Sequence, residues 1–336
     1  MTPTRLGKAE KMPKSLFSLM KAGLLAGVLG AASLAQAQYP AKPIRLVVPA
    51  TAGDGSDVLG RLVGRHLGDA LGQTVVIENR PGAGGSIAGA AVTTAAPDGY
   101  TLMLANGSSH SVTPALYPKL PYDTLRDFAP VSLLAVSPNL LVVHPSVPAA
   151  NIGEFLAYAR ANPGKLNIAA AGNGSLSHLS VELFRSMAKI DIVNVGYKGA
   201  APALNDLVAG QVSAVIINIP STLALVQAGK LRALAVTSAK RTALLPELPT
   251  LAEAGLAGYD TIAWFGLAAP AKTPDDVIRK LNAETVKVMA RPDVRESLVR
   301  LGAEASTNTP EQFAGFMRTE LAKYSKIIKD AGIKVE

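Results

Sequence analysis

Two stretches of the chain gather hydrogen-bond donors around glycines with few acids among them. The first runs Ala50-Thr51-Ala52-Gly53-Asp54-Gly55-Ser56-Asp57. The second runs Gly172-Asn173-Gly174-Ser175-Leu176-Ser177-His178. Small residues let a ligand reach the main chain, and free N–H groups at a helix N-terminus attract carboxylate as readily as phosphate. The candidate contacts are therefore Ala50, Ala52, Gly53, Gly55, Ser56 and Asp57 in one loop, and Gly172, Asn173, Gly174, Ser175, Ser177 and His178 in the other. Ser109 and His110 close a third strand-end loop. They are expected as side walls, because open α/β sheets bind ligands beyond their strand ends.

Other chemistries lack their residues. No serine sits in a G-x-S-x-G elbow. The four histidines (His66, His110, His144 and His178) are far apart in a chain without cysteine, so no metal-ligand spacing exists. Gly82-Ala83-Gly84-Gly85-Ser86 follows a strand, but Ile87 stands where a dinucleotide fingerprint needs glycine. Asp54 and Asp57 share one loop, where Ser56 or Asp57 serves best as a helix cap. No catalytic residue, metal or cofactor is expected.

The elements around these loops alternate. Residues 44–48 (IRLVV) read as a buried strand, and apolar residues at helical spacing begin after Asp57. Strands at 74–78 and 100–105 and a small-residue helix at 87–95 continue the pattern, which implies a parallel sheet with helices on its faces. The nearly apolar run 131–143 is expected to be divided into two strands by Pro138. Then come a helix at 152–161, a strand at 166–170, a helix at 177–187, a strand at 192–195, a helix at 202–209, a strand at 212–219, a helix to 228 and a strand at 231–237. A short helix at 250–254, a return strand at 261–268 and helices at 274–289, 292–301 and 310–331 follow; Thr273 and Thr309 are the expected caps of the first and third. The two crossings, near 138 and 263, split the chain into 38–138 plus 264–336 and 139–263. Each part brings one glycine-rich loop and helix start to a cleft between them.

The ends and the charge bound the class. Residues 1–21 carry five basic residues against Glu10, residues 22–35 are apolar, and Ala35-Gln36-Ala37 offers a cleavage site. Residues 1–37 thus read as a signal peptide, with Met1 or Met12 as the start, and place the mature chain in the periplasm. Their removal lowers the formal charge from +8 to +4 with no Lys/Arg run left, so nucleic acid is not an expected partner. Without cysteine, an exported chain of this length must rely on its core, large enough for two domains.

A family resemblance spans the mature chain. It is carried by Tyr39-Pro40-x-Lys42-Pro43-Ile44-Arg45, Glu78-Asn79-Arg80-Pro81-Gly82-Ala83-Gly84-Gly85, Pro97-Asp98-Gly99-Tyr100-Thr101-Leu102 and Leu120-Pro121-Tyr122-Asp123. Further on are Tyr197-Lys198-Gly199-Ala200-Ala201-Pro202-Ala203, residues 229–237 (GKLRALAVT) and Pro249-Thr250-x-Ala252-Glu253-Ala254-Gly255. In this order they resemble the Bug (TctC) family, the extracytoplasmic solute receptors of tripartite tricarboxylate transporters. The resemblance implies a periplasmic binding protein of type II, with two α/β domains closing over a small carboxylate. It also implies membrane permease subunits as partners, a monomeric receptor and no cofactor. In such a family the first loop holds a ligand carboxylate through backbone amides and bridging waters, and ligands include di- and tricarboxylates, acidic amino acids and aromatic acids. Three departures from the pattern matter: Ala50 replaces the usual Phe, Gly53-Asp54 replaces two adjacent glycines, and Ile216-Ile217-Asn218 replaces Phe-Asp-Asn, which by the resemblance makes Ile217 and Asn218 further side-wall candidates. The room left by Phe and the loss of an acid at 217 imply a monoacid or aromatic acid without an amine. Asp54 is expected to point outward or else to oppose an anion. A receptor docking on a membrane signalling partner, or a secreted enzyme acting on a carboxylate, are the alternatives.

Overall fold

A computed structural model of the protein describes residues 39–333 apart from 118, 172–174 and 198. The expected signal peptide, residues 1–37, lies outside the described residues, as do Gly172, Asn173 and Gly174.

The first part of the chain builds strands β1 (Ile44–Val48), β2 (Val75–Asn79) and β3 (Thr101–Asn106), with helices α1 (Gly55–Leu71) and α2 (Ser86–Thr93) between them. The three strands are parallel, in the order β2-β1-β3. The alternating pattern therefore folds as expected. Helix α1 lies close on the sheet because it carries glycines on its inner face: a Cβ on Gly60 would stand 2.9 Å from Val48 Cγ2. After β3 the chain makes a π-helical turn (Ser108–Val112) that continues into the short α3 (Thr113–Leu116). The sequence reading has only a strand-end loop at Ser109 and His110, without this turn.

Strand β4 (Phe128–Val143) is one continuous strand of 16 residues, not two. Pro138 marks a change of partner instead of a break. Up to Pro138 the strand pairs antiparallel with β9 (Ile262–Pro270), and from Asn139 it pairs with β7 (Ala214–Asn218). A proline is tolerated in a ladder where no neighbouring carbonyl needs its N–H, and the exchange of neighbours supplies such a point. Between these crossings lie α4 (Ile152–Ala161), β5 (Asn167–Ala171), α5 (Leu176–Ala188), β6 (Val193–Tyr197), α6 (Ala200–Val208), α7 (Ile219–Gln227, directly after β7) and β8 (Arg232–Val236). Strands β6, β5 and β7 are parallel to one another, and β8 runs antiparallel to β4. The expected helix at 250–254 is a turn joined to β8 by a single bridge from Thr250 to Val236.

The C-terminal part adds α8 (Asp275–Ala290), α9 (Pro292–Arg300), the two-residue β10 (Glu304–Ala305) and α10 (Pro310–Ala331). Thr309 caps α10 in a full capping box with Gln312. Thr273 does not cap α8: Pro274 holds the cap position and the Thr273 hydroxyl donates to Pro270 O at 2.8 Å. None of the helices among the described residues is long and apolar enough to cross a membrane.

Several apolar clusters flank the sheet, and two of them hold most of its large aromatic side chains. One packs Phe128, Leu133, Met103, Trp264 and Phe313, and the other Phe155, Phe184 and Tyr259. Helix α10 joins the two regions through Tyr324, Ile327 and Ile328, which pack on Val112 and on Leu179 of α5. Burial of each large apolar side chain is worth about 1.5–3 kcal/mol, so the core holds the fold without covalent ties. Where the chain crosses, buried Thr237 binds both crossing segments: its Oγ1 accepts from Asn139 N at 2.9 Å and donates to Thr261 O at 2.6 Å.

Candidate functional site

A cavity of about 350 Å³ opens where β4 changes partners. That is within the usual size of small-molecule sites, roughly 300–1,000 Å³. Its polar wall comes from Asp54 and Gly55 at the start of α1, Ser137 on β4, and Asn218 and Ser221 at the start of α7. Ala200, the first residue of α6, completes that wall, and Leu59, Ala263, Phe265, Leu301 and Ala303 form the apolar one. Three helix N-termini thus meet at one apolar-floored cavity. A larger groove of about 500 Å³ runs along α1 from Gly64 to Val75. It is an open trough beside the glycines that let α1 approach β2, and it gathers the C-terminal end of α1 but no helix N-terminus.

The α1 end is built around two carboxylates. Gly55 already has helical geometry, so the cap falls on Asp54, whose Oδ1 accepts from Ser56 N at 2.8 Å. The expected caps, Ser56 and Asp57, are inside the helix. Asp57 is buried and accepts from Gly53 N, Arg61 Nε and Asn79 Nδ2, each at 2.9 Å. Asn79 also donates to Ala50 O at 3.1 Å, so this group brackets the loop against the end of β2. The Arg61 hydrogen bond, with those from Gly53 and Asn79, outweighs desolvation and holds the Asp57 carboxyl down to about 2. The loop is therefore not a row of free amides, as its composition suggests. Gly53 N and Ser56 N serve the protein's own acids, while Gly55 N and Asp57 N have no protein acceptor among the described residues. Ala52 is exposed, and of the candidates in this loop only Gly55 lines the cavity.

The other two helix ends are neutral. Gly199 gives α6 no side-chain cap, and the first turn of α6 holds no acid. At α7, Asn218 Oδ1 accepts from Ser221 N at 3.1 Å and Ser221 Oγ at 2.7 Å. This fixes the amide so that its Nδ2 donors remain without a protein partner among the described residues. Asn218 was expected as a wall and lines the cavity. Ile217 was also expected there, but alternation along β7 turns it into the core, 3% exposed.

The remaining candidates sit elsewhere. Ser175 caps α5 by accepting from His178 N at 3.2 Å. Ser177 is buried, donates to Ile216 O at 2.6 Å and accepts from Ala171 N at 3.0 Å, tying α5 to β5 and β7. His178 is half-buried, 4.0 Å from Glu182, and burial lowers its pKa. None of the three lines the cavity. Ser109 and His110 are fully buried, because the π-helical turn rotates both inward. His110 Nδ1 lies 2.8 Å from Ser109 Oγ, and its ring packs edge-on against Phe128 at 4.7 Å. Burial takes the imidazole down to about 3, so it is neutral. Both are parts of the core beneath the loops and not side walls.

Ser137, Ala200, Ser221 and Phe265 escaped the sequence reading for local reasons. Ala200 was hidden by starting its helix at Pro202, and Ser221 by stopping at the strand end. Ser137 adjoins the proline that marked the crossing, and Phe265 adjoins Trp264. Leu301 and Ala303 carry no local signal, since only the return of the chain brings them here.

Residues 59–333 match the family model for the tripartite tricarboxylate transporter family receptor. Protein BugT of Bordetella pertussis is 36% identical over 307 residues, covering 91% of this chain and 94% of BugT. An R. palustris protein solved with adipate is 38% identical, with a TM-score of 0.77 over 88% of this chain and 99% of that one. MatC from Rhodopseudomonas palustris, solved with bound malate, is 36% identical, with a TM-score of 0.71 over 86% of this chain and 100% of MatC. The fold is that of the periplasmic binding proteins, the type II α/β arrangement that the sequence implied. With a family match over most of its length and relatives this similar, the chain belongs to the TctC receptors of the tripartite tricarboxylate transporter family.

Proposed function

We propose that the protein is a non-catalytic periplasmic receptor that captures a small organic carboxylate and passes it to membrane permease subunits. The observation that carries this reading is the convergence of the α1, α6 and α7 N-termini on one apolar-floored cavity. Unpaired amides and the Asn218 Nδ2 group suit an acceptor-rich ligand, and partial dipoles at helix ends favour an anion. The adipate and malate held by two relatives belong to the same chemical class. Residues 38–138 with 264–336 and residues 139–263 act as two lobes that close over the ligand and remove it from water, which strengthens its hydrogen bonds. The hydroxyls in the wall support binding over catalysis. Ser137 Oγ donates to Gly302 O at 2.7 Å and Ser221 Oγ to Asn218 Oδ1, so each is committed to a structural bond.

A thermal-shift screen of the purified protein, refolded to strip any trapped ligand, tests this reading. The panel spans dicarboxylates, citrate, acidic amino acids and aromatic acids. A ligand that binds only the native state raises Tm by mass action, about 2.7 kcal/mol of stabilisation at a hundredfold excess over Kd. A rise with one carboxylate class is expected. No rise with any carboxylate, or turnover of a bound acid, would contradict it.

A further inference from the structure

Asp54 places a carboxylate in the wall of the cavity that the ligand's own carboxylate must enter. Its Oδ1 is fixed by Ser56 N at 2.8 Å, while Oδ2 has no protein partner among the described residues. Buried Asp57 in the same first turn is already paired with Arg61 at 2.9 Å, so Asp54 is the acid that has no cationic partner there among the described residues. An unpaired acid at a helix N-terminus offsets the partial positive charge that would otherwise draw an anion there. Across the cavity, α6 and α7 have no acid in their first turns, and the α7 cap is a neutral amide with donors to spare. Among the described residues that line the wall there is no Lys or Arg to pair with Asp54.

We propose that Asp54 sets both the direction and the class of the ligand: a monocarboxylate that turns its carboxylate toward α6 and α7 and offers Asp54 a hydrogen-bond donor. This rests on the carboxylate-receptor reading above. Leu59, Phe265, Leu301 and Ala303 enclose the apolar body between the two ends. Asp54 is exposed, and lobe closure over a ligand would strip its water; a second carboxylate at that end would then face a like charge, and such an opposed charge is an efficient way to reject a ligand. An α-amino acid is also disfavoured, because its ammonium and carboxylate are too close together to reach opposite walls.

Calorimetric titration of the refolded protein with two matched series tests the proposal. One series is hexanoate, 6-hydroxyhexanoate, 6-aminohexanoate and adipate; the other is benzoate, 4-hydroxybenzoate and terephthalate. In at least one series the donor-bearing acid is expected to bind more tightly than its parent, and the dicarboxylate at least about tenfold more weakly than the donor-bearing acid. The hydroxyl and amino members show whether the donor is neutral or cationic. Asp54→Asn keeps a competent helix cap while removing the charge, and is expected to erase the donor preference and improve the dicarboxylate about tenfold. Asp54→Ser, another good cap, repeats the test if the Asn variant loses its native Tm. Equal or tighter binding of the dicarboxylate by the wild type, or an order unchanged in the variants, would overturn the inference and leave the receptor reading standing. Failure of every acid to bind would instead remove the receptor reading and this inference together.

Discussion

Asp57 stays charged although buried, because Arg61, Gly53 and Asn79 all donate to it, whereas His110 is buried without such partners and loses its charge. The two groups respond to acid in separate windows. His110 has a folded pKa of about 3, below its ordinary 6.5. The unfolded chain therefore binds the extra proton first, and stability falls as pH drops below about 6.5. Asp57, held at about 2 against an ordinary 3.8, contributes stability above about pH 4 that is lost as pH falls toward 2. Thermal melts from pH 7.5 to 2.5 are expected to show both phases, with His110→Gln reducing the upper, to which half-buried His178 also contributes, and Asp57→Asn reducing the lower, which Asp127 and Asp293 share. A melting curve for His110→Gln that keeps the upper phase at its full size would contradict the assignment. Asp57→Asn also loses charge-assisted bonds and is expected to cost about 1–3 kcal/mol at neutral pH. The sequence made 50–57 readable as a strand-to-helix turn with spare donors. It could not show which acid caps the helix, because that depends on the backbone angles of Gly55, nor that Asn79, distant in sequence, would turn Asp57 inward.

At the scale of elements, the strand–helix alternation was legible because period and small-residue turns repeat along the chain. Where tertiary context decided, local signals misled. Pro138 looked like a strand break, yet β4 runs through it by exchanging β9 for β7 and β8. The π-helical turn after β3 had no sequence signature, and it is what removes Ser109 and His110 from the cavity. Thr237 ties the two crossings, so Thr237→Val is expected to leave Asn139 N–H and Thr261 C=O unpaired in the interior. Each lost partner costs about 1–3 kcal/mol, measurable as a lower urea midpoint; an unchanged midpoint would show that the crossings do not depend on this hydroxyl. Gly266 on β9 lies under Phe313 of α10, and a Cβ there would stand 2.1 Å from Phe313 Cζ. Gly266→Ala is expected to destabilise by about 1–3 kcal/mol through overpacking, again read from chemical denaturation.

Across the whole molecule, the cavity is assembled from residues far apart in sequence. Gly55 was readable from its loop of small residues and Asn218 from the family resemblance, but Leu301 and Ala303 arrive only through the return of the C-terminal segment. Contacts on either side of the crossings link the proposed lobes: Lys323 of α10 lies 3.2 Å from Asp260, and Glu304 accepts from Ala243 N at 3.1 Å and from the Thr242 hydroxyl. Closure over a ligand must work within these ties, and small-angle scattering is expected to show a smaller radius of gyration on saturation with a bound acid. An unchanged radius would argue for a cavity that fills without lobe movement. The most direct measurement is a crystal structure of the refolded protein grown with the acid that raises Tm most. One ligand molecule is expected in the cavity between α1, α6 and α7, with a carboxylate oxygen within about 3.2 Å of Asn218 Nδ2 or an α6 amide. A ligand bound outside that cavity, or bound there with its carboxylate against the apolar wall, would contradict the account.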